Sequence, residues 1–507
     1  MKTKILSLIG CVVILSVGCK KDFLDINTNP NVLTSASASF VMTNALNVTS
    51  TNFLGFNEVG EYWSGHWTQS NGYILSPQQF SYNYTNGDFN FWDGIYDNLY
   101  DYQYAIDNAD AANQKYFKGP AKIMKALNYQ ALVDMYGSIP YSNALKGSAV
   151  LAPKFDDQKA VYDSLIVLLT EAIADTKANA FASAFASADI IFKGNTTKWV
   201  KFANSLKLRI LMKEARVAGK DAYIIAELNK IAAEGSGFIV GEEVGVNPGF
   251  LASTGKLNPY YERWGYDPNG AKKGLSNYPR LTEFFVNSLK AAADTFRLKR
   301  LAYATGGENG ANPGVSTKAE ISTNYVGVPF GVSSGYLPTN SSSIGPSQII
   351  KGQFGKPFVL AVAAEFQFLL AEAKERYGAS VNFAGTSQNY YEEGVKQSFR
   401  MLGANINNAT FLLTSGIDNA DFIASTNKLN AIAYQKWIAL ANFSGLEAWS
   451  EYRKMNFPVT PQSINYVGVE RPLRFYYPNT EKAANGVNVD AQGAIDPLKT
   501  RIFWDVD

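Results

Sequence analysis

Aromatic rings set among small polar residues are the side chains of this sequence with the clearest chemistry. Trp63, Trp67 and Tyr73 fall in one such stretch, residues 58–90, and Tyr260, Tyr261 and Trp264 fall in a second, residues 248–280. Tyr325 and Tyr336 belong to a third, residues 306–356. Sugar rings carry apolar C–H faces that stack on Trp and Tyr, while Asn, Asp, Gln and Arg bond their hydroxyls. A rigid ring offers large contact area for little lost side-chain entropy. These eight aromatics are the candidate ligand-binding residues as regions, although each taken alone is better explained by packing its loop against the helices. Trp92, Trp199, Trp437 and Trp449 lie on helical stripes and are assigned to the core.

Catalytic chemistry is thinly represented. His66 is the single histidine, so a Ser-His-Asp triad would have to use it. It sits between Gly65 and Trp67, where packing or ligand contact is the simpler role. No Cys/His cluster has zinc spacing, and neither a Gly-rich phosphate loop nor an EF-hand spacing is present. Two carboxylates suffice for glycoside hydrolysis, but the Asp and Glu residues read more simply as solvated helix faces and caps. No catalytic residue, no metal ligand and no cofactor is expected.

The two cysteines have other fates. Lys2 and Lys4 precede an apolar run, residues 5–17, of signal-peptide length and too short to span a bilayer. Leu15-Ser16-Val17-Gly18-Cys19 resembles a lipobox, with cleavage between Gly18 and Cys19 and acylation of Cys19, for example by palmitate. The leucine stands one position further from the cysteine than usual, with Ser16 in its place. Residues 1–18 are therefore expected to be a lipoprotein signal peptide, and residues 19–40 a lipidated tether with a turn at Asn29-Pro30-Asn31. More than one acyl chain suffices for stable anchoring. Cys11 leaves with the signal, so no disulfide is expected.

What remains, residues 41–507, must position the aromatics. With 46% hydrophobic and 18% charged residues the composition is that of an ordinary globular protein. Forty-six basic against 44 acidic residues leave no footprint for nucleic acid. After Val17 there is no apolar run near twenty residues and no series of alternating barrel strands. Residues 40–50 predict a short helix, and 58–90 a loop-rich surface element. Helical patterns then follow one another. Residues 89–108 carry Trp92, Tyr96, Leu99 and Tyr100, and Pro120 opens a second helix that Gly137 stops. Asp156 or Asp157 caps a third, 195–197 cap a fourth carrying Trp199 and Phe202, and 221–234 form a fifth. In the C-terminal third, Phe366, Leu369, Leu370, Ala373 and Tyr377 form a stripe, with 390–402 as its partner. Leu429, Ile432, Trp437 and Leu440 form another helix, which turns at 442–445 and returns over 446–454.

Helix, short turn, helix thus recurs about four times, like antiparallel pairs of the tetratricopeptide kind. The fold class is mostly α with little β: helix pairs over about 89–235 and 358–454, a loop-rich insert over 236–357, and an irregular tail over 455–507.

Several motifs taken in order resemble the SusD/RagB family of outer-membrane nutrient-binding lipoproteins. They are Cys19 with Phe23-Leu24-Asp25-Ile26-Asn27-Thr28-Asn29-Pro30-Asn31, then Asp134-Met135-Tyr136-Gly137-Ser138-Ile139-Pro140-Tyr141, then the run from Ala364 to Ala373. Gln435-Lys436-Trp437-Ile438-Ala439-Leu440 with Gly445-Leu446-Glu447-Ala448-Trp449-Ser450-Glu451-Tyr452-Arg453 is the strongest, and Arg474-Phe475-Tyr476-Tyr477-Pro478 also fits. The resemblance implies a scaffold of four tetratricopeptide-like helix pairs with a loop-rich ligand-binding part. It implies an outer-membrane location facing the cell exterior, and a TonB-dependent transporter barrel over which the lipoprotein sits as a lid. Oligosaccharides are common ligands of the family and some members handle peptides, so a peptide-binding role is the alternative. Less favoured is a glycan-cleaving enzyme, since catalysis is not the family's role.

Overall fold

The structure, a computed structural model, describes residues 37–70, 75–110, 113–179 and 183–506. The signal segment 1–18, Cys19, the tether up to residue 36 and Tyr73 lie outside the described residues. In chain order the principal helices are α1 (Ala38–Trp63), α2 (Trp92–Asn108), α3 (Lys118–Tyr136), α4 (Gln158–Ala178), α5 (Thr196–Lys213) and α6 (Asp221–Glu234). The middle region adds the shorter α7 (Pro259–Trp264), α8 (Glu283–Ala291) and α9 (Thr295–Leu301). They are followed by α10 (Ala363–Tyr377), α11 (Ser387–Leu402), α12 (Lys428–Leu440), α13 (Gly445–Met455) and α14 (Asn479–Asp490). Among the described residues, strands form two small two-stranded sheets, β1 (Trp67–Gln69) with β3 (Pro279–Leu281) and β2 (Val244–Val246) with β4 (Phe358–Ala361). The mostly-α fold class is as expected.

Polar caps and glycines set the boundaries that the sequence suggests. Asp157 accepts from the backbone N–H groups of Lys159 and Ala160 to start α4, and Asn195 accepts from Lys198 to start α5. Gly137, at φ +79°, ends α3 in a conformation that a side chain would strain. Consecutive helices then pack as α3 with α4, α5 with α6, α10 with α11, and α12 with α13. Because α5 also lies against α10, the two blocks of pairs share one core.

The first helix departs most from expectation. In place of a short helix over 40–50 and loops beyond, α1 runs for 26 residues to Trp63. Every residue from Phe56 to Trp63 is buried. A helix covered on all sides has no polar stripe, so it shows no amphipathic period. It is wedged between α2 and α13. The crossing with α13 depends on two glycines: a Cβ on Gly60 would lie 2.2 Å from the Gly445 carbonyl carbon, and one on Gly445 would lie 2.0 Å from the Asn57 carbonyl oxygen.

The tail is also less peripheral than an irregular segment suggests. It contains α14, and it returns Phe475 and Trp504 to the core, where the Trp504 indole donates to Asp134 at 3.0 Å.

Charged residues pin the helix pairs together from inside. The Arg209 guanidinium on α5 donates to both oxygens of Glu365 on α10 at 2.7 Å. Lys213, one turn on, reaches Glu447 on α13 at 2.9 Å and also pairs with Asp134 on α3. A second cluster joins Lys454 and Arg376 to Glu372 at 2.6 and 2.8 Å, and Lys436 to Glu451 at 2.7 Å. Burial alone would raise the Glu372 carboxyl, but Lys454, Arg376 and Lys436 draw it down to about 2. Glu447 shows the same balance: burial raises it, and Arg209 and Lys213 bring it to about 2. Asp134, Glu365, Glu372, Lys436, Glu447 and Glu451 all belong to the motifs that carry the family resemblance. Their role in this structure is to cross-link the scaffold.

Candidate functional site

The early aromatic stretch and the middle region meet through a strand pair. After α1, Ser64 and Gly65 turn the chain into β1 (Trp67–Gln69), which pairs antiparallel with β3 (Pro279–Leu281), Trp67 standing opposite Leu281. Gly65 adopts φ +81° there, and a Cβ on it would meet the Thr460 side chain at 2.6 Å. Asn258 caps α7 by accepting from the N–H groups of Tyr260 and Tyr261, with Pro259 at the first helical position. That start points Tyr260 and Trp264 toward β1. Trp67 then makes edge contacts with both, at ring-centroid separations of 6.2 and 6.1 Å.

Three of the eight candidates, Trp67, Tyr260 and Trp264, are therefore brought together. Tyr261 faces away, packs on Tyr266 at 5.9 Å and accepts from the Gly352 N–H at 3.0 Å. Trp63 sits elsewhere, against Tyr84, Trp449 and Phe475, with its indole donating to the Gln79 carbonyl. Tyr325 is buried in the middle region, and Tyr336 is half-buried on its own loop. Trp63, Trp67, Tyr261, Trp264 and Tyr325 are each at most 4% exposed, so the structure places them in packed interior and not on open surface. The reason is tertiary: pairing β1 with β3, some two hundred residues apart, closes the early stretch over the middle one.

Two spaces adjoin this aromatic junction. Beneath it, Trp67, Tyr260 and Trp264 line a narrow cavity of about 20 Å³. That is room for a water or two and far too little for a sugar ring. On the outer side of α7 lies an open cleft of about 730 Å³, within the size range of small-molecule sites. Asn47 and Thr51 of α1 form one wall of the cleft, Phe250 and Leu257 an apolar part, and Glu262 and Arg263 of α7 the other wall. The Arg263 guanidinium is held by Glu58 at 2.8 Å and lies 4.5 Å from the centre of the Trp264 ring. Burial raises the Glu58 carboxyl and Arg263 pulls it back. Amide, hydroxyl, guanidinium and carboxyl groups beside an apolar patch can bond the hydroxyls and cover the C–H faces of a sugar. The sequence reading missed these lining residues because they are spread over four segments. The one local signal is the charged pair Glu262-Arg263 inside the aromatic cluster.

The sole histidine is structural. His66 is fully buried between Phe285 and Trp437, both at centroid distances of 5.0 Å. Ser64 Oγ at 3.1 Å and Glu61 Oε2 at 2.7 Å both meet the same ring nitrogen, Nδ1. A triad needs the acid on one nitrogen and the nucleophile on the other, so these three residues do not form one. Among the described residues no group of three His, Cys, Asp or Glu side chains could hold a metal ion.

Residues 30–478 match the family model SusD-like, described as starch-binding and associating with the outer membrane. Among solved structures the chain is similar to a chitin-binding SusD homolog from Flavobacterium johnsoniae, with 23% identity and a TM-score of 0.72 over 92% of this chain and 99% of that one. A SusD homolog from Bacteroides ovatus shows 24% identity and a TM-score of 0.70, again over 92% and 99%. One from Bacteroides fragilis shows 23% identity and a TM-score of 0.72, over 93% and 99%. At such identities the likeness is one of fold. No curated protein sequence matches the chain.

Proposed function

We propose, from the premise that this chain belongs to the SusD-like family of starch-binding proteins associating with the outer membrane, that it captures an oligosaccharide at the cell surface for import. The observation that carries this reading is the cleft of about 730 Å³ along α7, whose Arg263 lies 4.5 Å from the centre of the Trp264 ring at the aromatic junction. A chitin-binding relative of the same fold supports a glycan as the ligand class. No helix among the described residues is long and apolar enough to cross a membrane, which suits attachment through the acylated Cys19. In this reading the body faces the exterior and acts as lid of a TonB-dependent transporter barrel, opening and closing through differential affinity of the two states for ligand.

Isothermal titration against chito-oligosaccharides, malto-oligosaccharides and a peptide library tests the ligand class. Heat from an oligosaccharide supports the proposal, and heat from peptides alone replaces it with the peptide-binding alternative. Shortened products after incubation with the bound glycan would convert the reading to a glycan-cleaving enzyme. For the lid, co-purification from detergent-solubilised outer membranes with a TonB-dependent barrel is expected, and purification without one would remove that part.

A further inference from the structure

The narrow cavity under α7 has an apolar part, Leu54, Pro357, Phe358, Val359 and Phe443, and polar groups most of which are committed, Glu58 to Arg263 at 2.8 Å among them. Trp67 Nε1 donates to Asn442 Oδ1 at 2.7 Å, and Asn442 Nδ2 donates to the Leu301 carbonyl at 2.9 Å. Gln348 Nε2 donates to the Asn442 carbonyl at 2.8 Å, and Asn57 Oδ1 accepts from the Leu446 N–H at 3.0 Å. Asn258 uses its oxygen to cap α7 and its amide to reach the Lys356 carbonyl at 2.8 Å. Three residues of the lining each carry one buried atom with no hydrogen-bond partner among the described residues: Glu61 Oε1, the Tyr260 hydroxyl and Trp264 Nε1. Glu61 and Trp264 are each 2% exposed, and the other Glu61 oxygen already shares a hydrogen bond with His66.

Leaving a buried polar group unpaired costs about 1–3 kcal/mol, so three around one cavity call for a shared partner. Their chemistry defines it. A carboxylate oxygen only accepts, an indole N–H only donates, and a phenol hydroxyl does either. A cation cannot accept from Trp264, and an anion cannot donate to Glu61. A group that does both, a hydroxyl, satisfies all three. We infer that this cavity is a binding site for a neutral hydroxyl ligand, filled in the unliganded protein by one or two ordered waters bridging Glu61, Tyr260 and Trp264. The free volume of about 20 Å³ fits that occupant, and buried waters typically make about three hydrogen bonds. Such a bridge ties α1 to α7 and fixes the ring of Trp264, against which Arg263 of the cleft lies at 4.5 Å.

The unliganded full-length protein provides the test, so the outcome does not depend on the identity of any glycan. A crystal structure at about 1.5 Å resolution should show a water within about 3.2 Å of Glu61 Oε1, Tyr260 Oη and Trp264 Nε1. In protein labelled with ¹⁵N-Trp, one indole N–H of the eight tryptophans, assigned by its loss in Trp264→Phe, should show an exchange-filtered cross-peak to a long-lived water. An empty cavity without that cross-peak would overturn the inference. So would an anomalous peak at the site in crystals soaked in rubidium chloride, because the occupant would then be a cation.

Discussion

Arg209 and Glu365 face each other at 2.7 Å through two parallel hydrogen bonds, 156 positions apart in the chain and both out of contact with water. The pair fastens α5 to α10 and thereby one block of helix pairs to the other. Breaking a buried pair costs more than replacing it, because the surviving charge is stranded. Glu365→Leu is expected to lower stability by about 3 kcal/mol, the low end of that range, since Glu447 still stands 3.6 Å from the guanidinium. Adding Arg209→Met should recover most of the loss. Urea unfolding of both variants checks this, and equal midpoints for the single and double variants would refute it.

Acid should weaken the same scaffold. Glu372 and Glu447 lie near 2 in the folded protein against an ordinary 4.5, so the unfolded chain takes up their protons first. Their contribution is present above about pH 4.5 and is lost as pH falls toward 2. Glu365 is raised by burial and runs the other way. Urea midpoints measured between pH 6 and pH 3 should fall, and Glu447→Gln should flatten the slope. An unchanged slope in that variant would assign the acid sensitivity to other groups.

The crossing of α1 and α13 has no room for a methyl group. Gly445→Ala is expected to destabilise by about 1–3 kcal/mol through overpacking, seen as a lower Tm. A variant that melts with the parent would mean that the helices separate at little cost.

Ligand contact is predicted on the α1 wall of the cleft. Asn47 is partly exposed there, and its side chain has no structural role among the described hydrogen bonds. Removing one hydrogen bond worth about 0.5–1.5 kcal/mol corresponds to an affinity loss of roughly 3- to 10-fold. Asn47→Ala should therefore weaken binding of the cognate oligosaccharide by that factor with Tm unchanged. Equal affinity would move the site away from this wall.

Anchoring is expected to depend on a single atom. Cys19→Ser should shift the protein from the membrane fraction to the soluble fraction and abolish incorporation of labelled palmitate. Retention in the membrane fraction would point to attachment by protein contacts alone.

In α4 and α11 a half-exposed helix prints its period into the sequence, while α3, α10 and α13 are covered on nearly every side and were legible from apolar spacing and from the turns that bound them. Asp157, Asn195 and Gly137 mark their ends by local chemistry that acts over three or four residues. Only the start of α1 was legible: from Phe56 to Trp63 every residue is buried, which removes the period, and Gly60 looks like a break until Gly445 is seen against it. Trp92, Trp199, Trp437 and Trp449 were assigned correctly to the core from stripe position. Trp63 and Trp67 lacked that clue, as they occupy the fully buried last turn of α1 and a three-residue strand.

Sequence alone determined the fold class, the motifs of the family and the ligand chemistry to look for, because these rest on composition and on short-range order. It also held the charged residues of the scaffold, but as separate letters: nothing local to Asp134, Lys213, Glu365 or Glu447 says that they share one interior. Tertiary structure decided which aromatics meet. Trp67 joins Tyr260 and Trp264 only because β1 pairs with β3, a contact whose partners lie far apart along the chain. It decided as well that the open space lies beside α7 and not on the aromatic faces. Pairing at such separation depends on the loop-closure and packing terms of the whole domain, and no window of residues carries them.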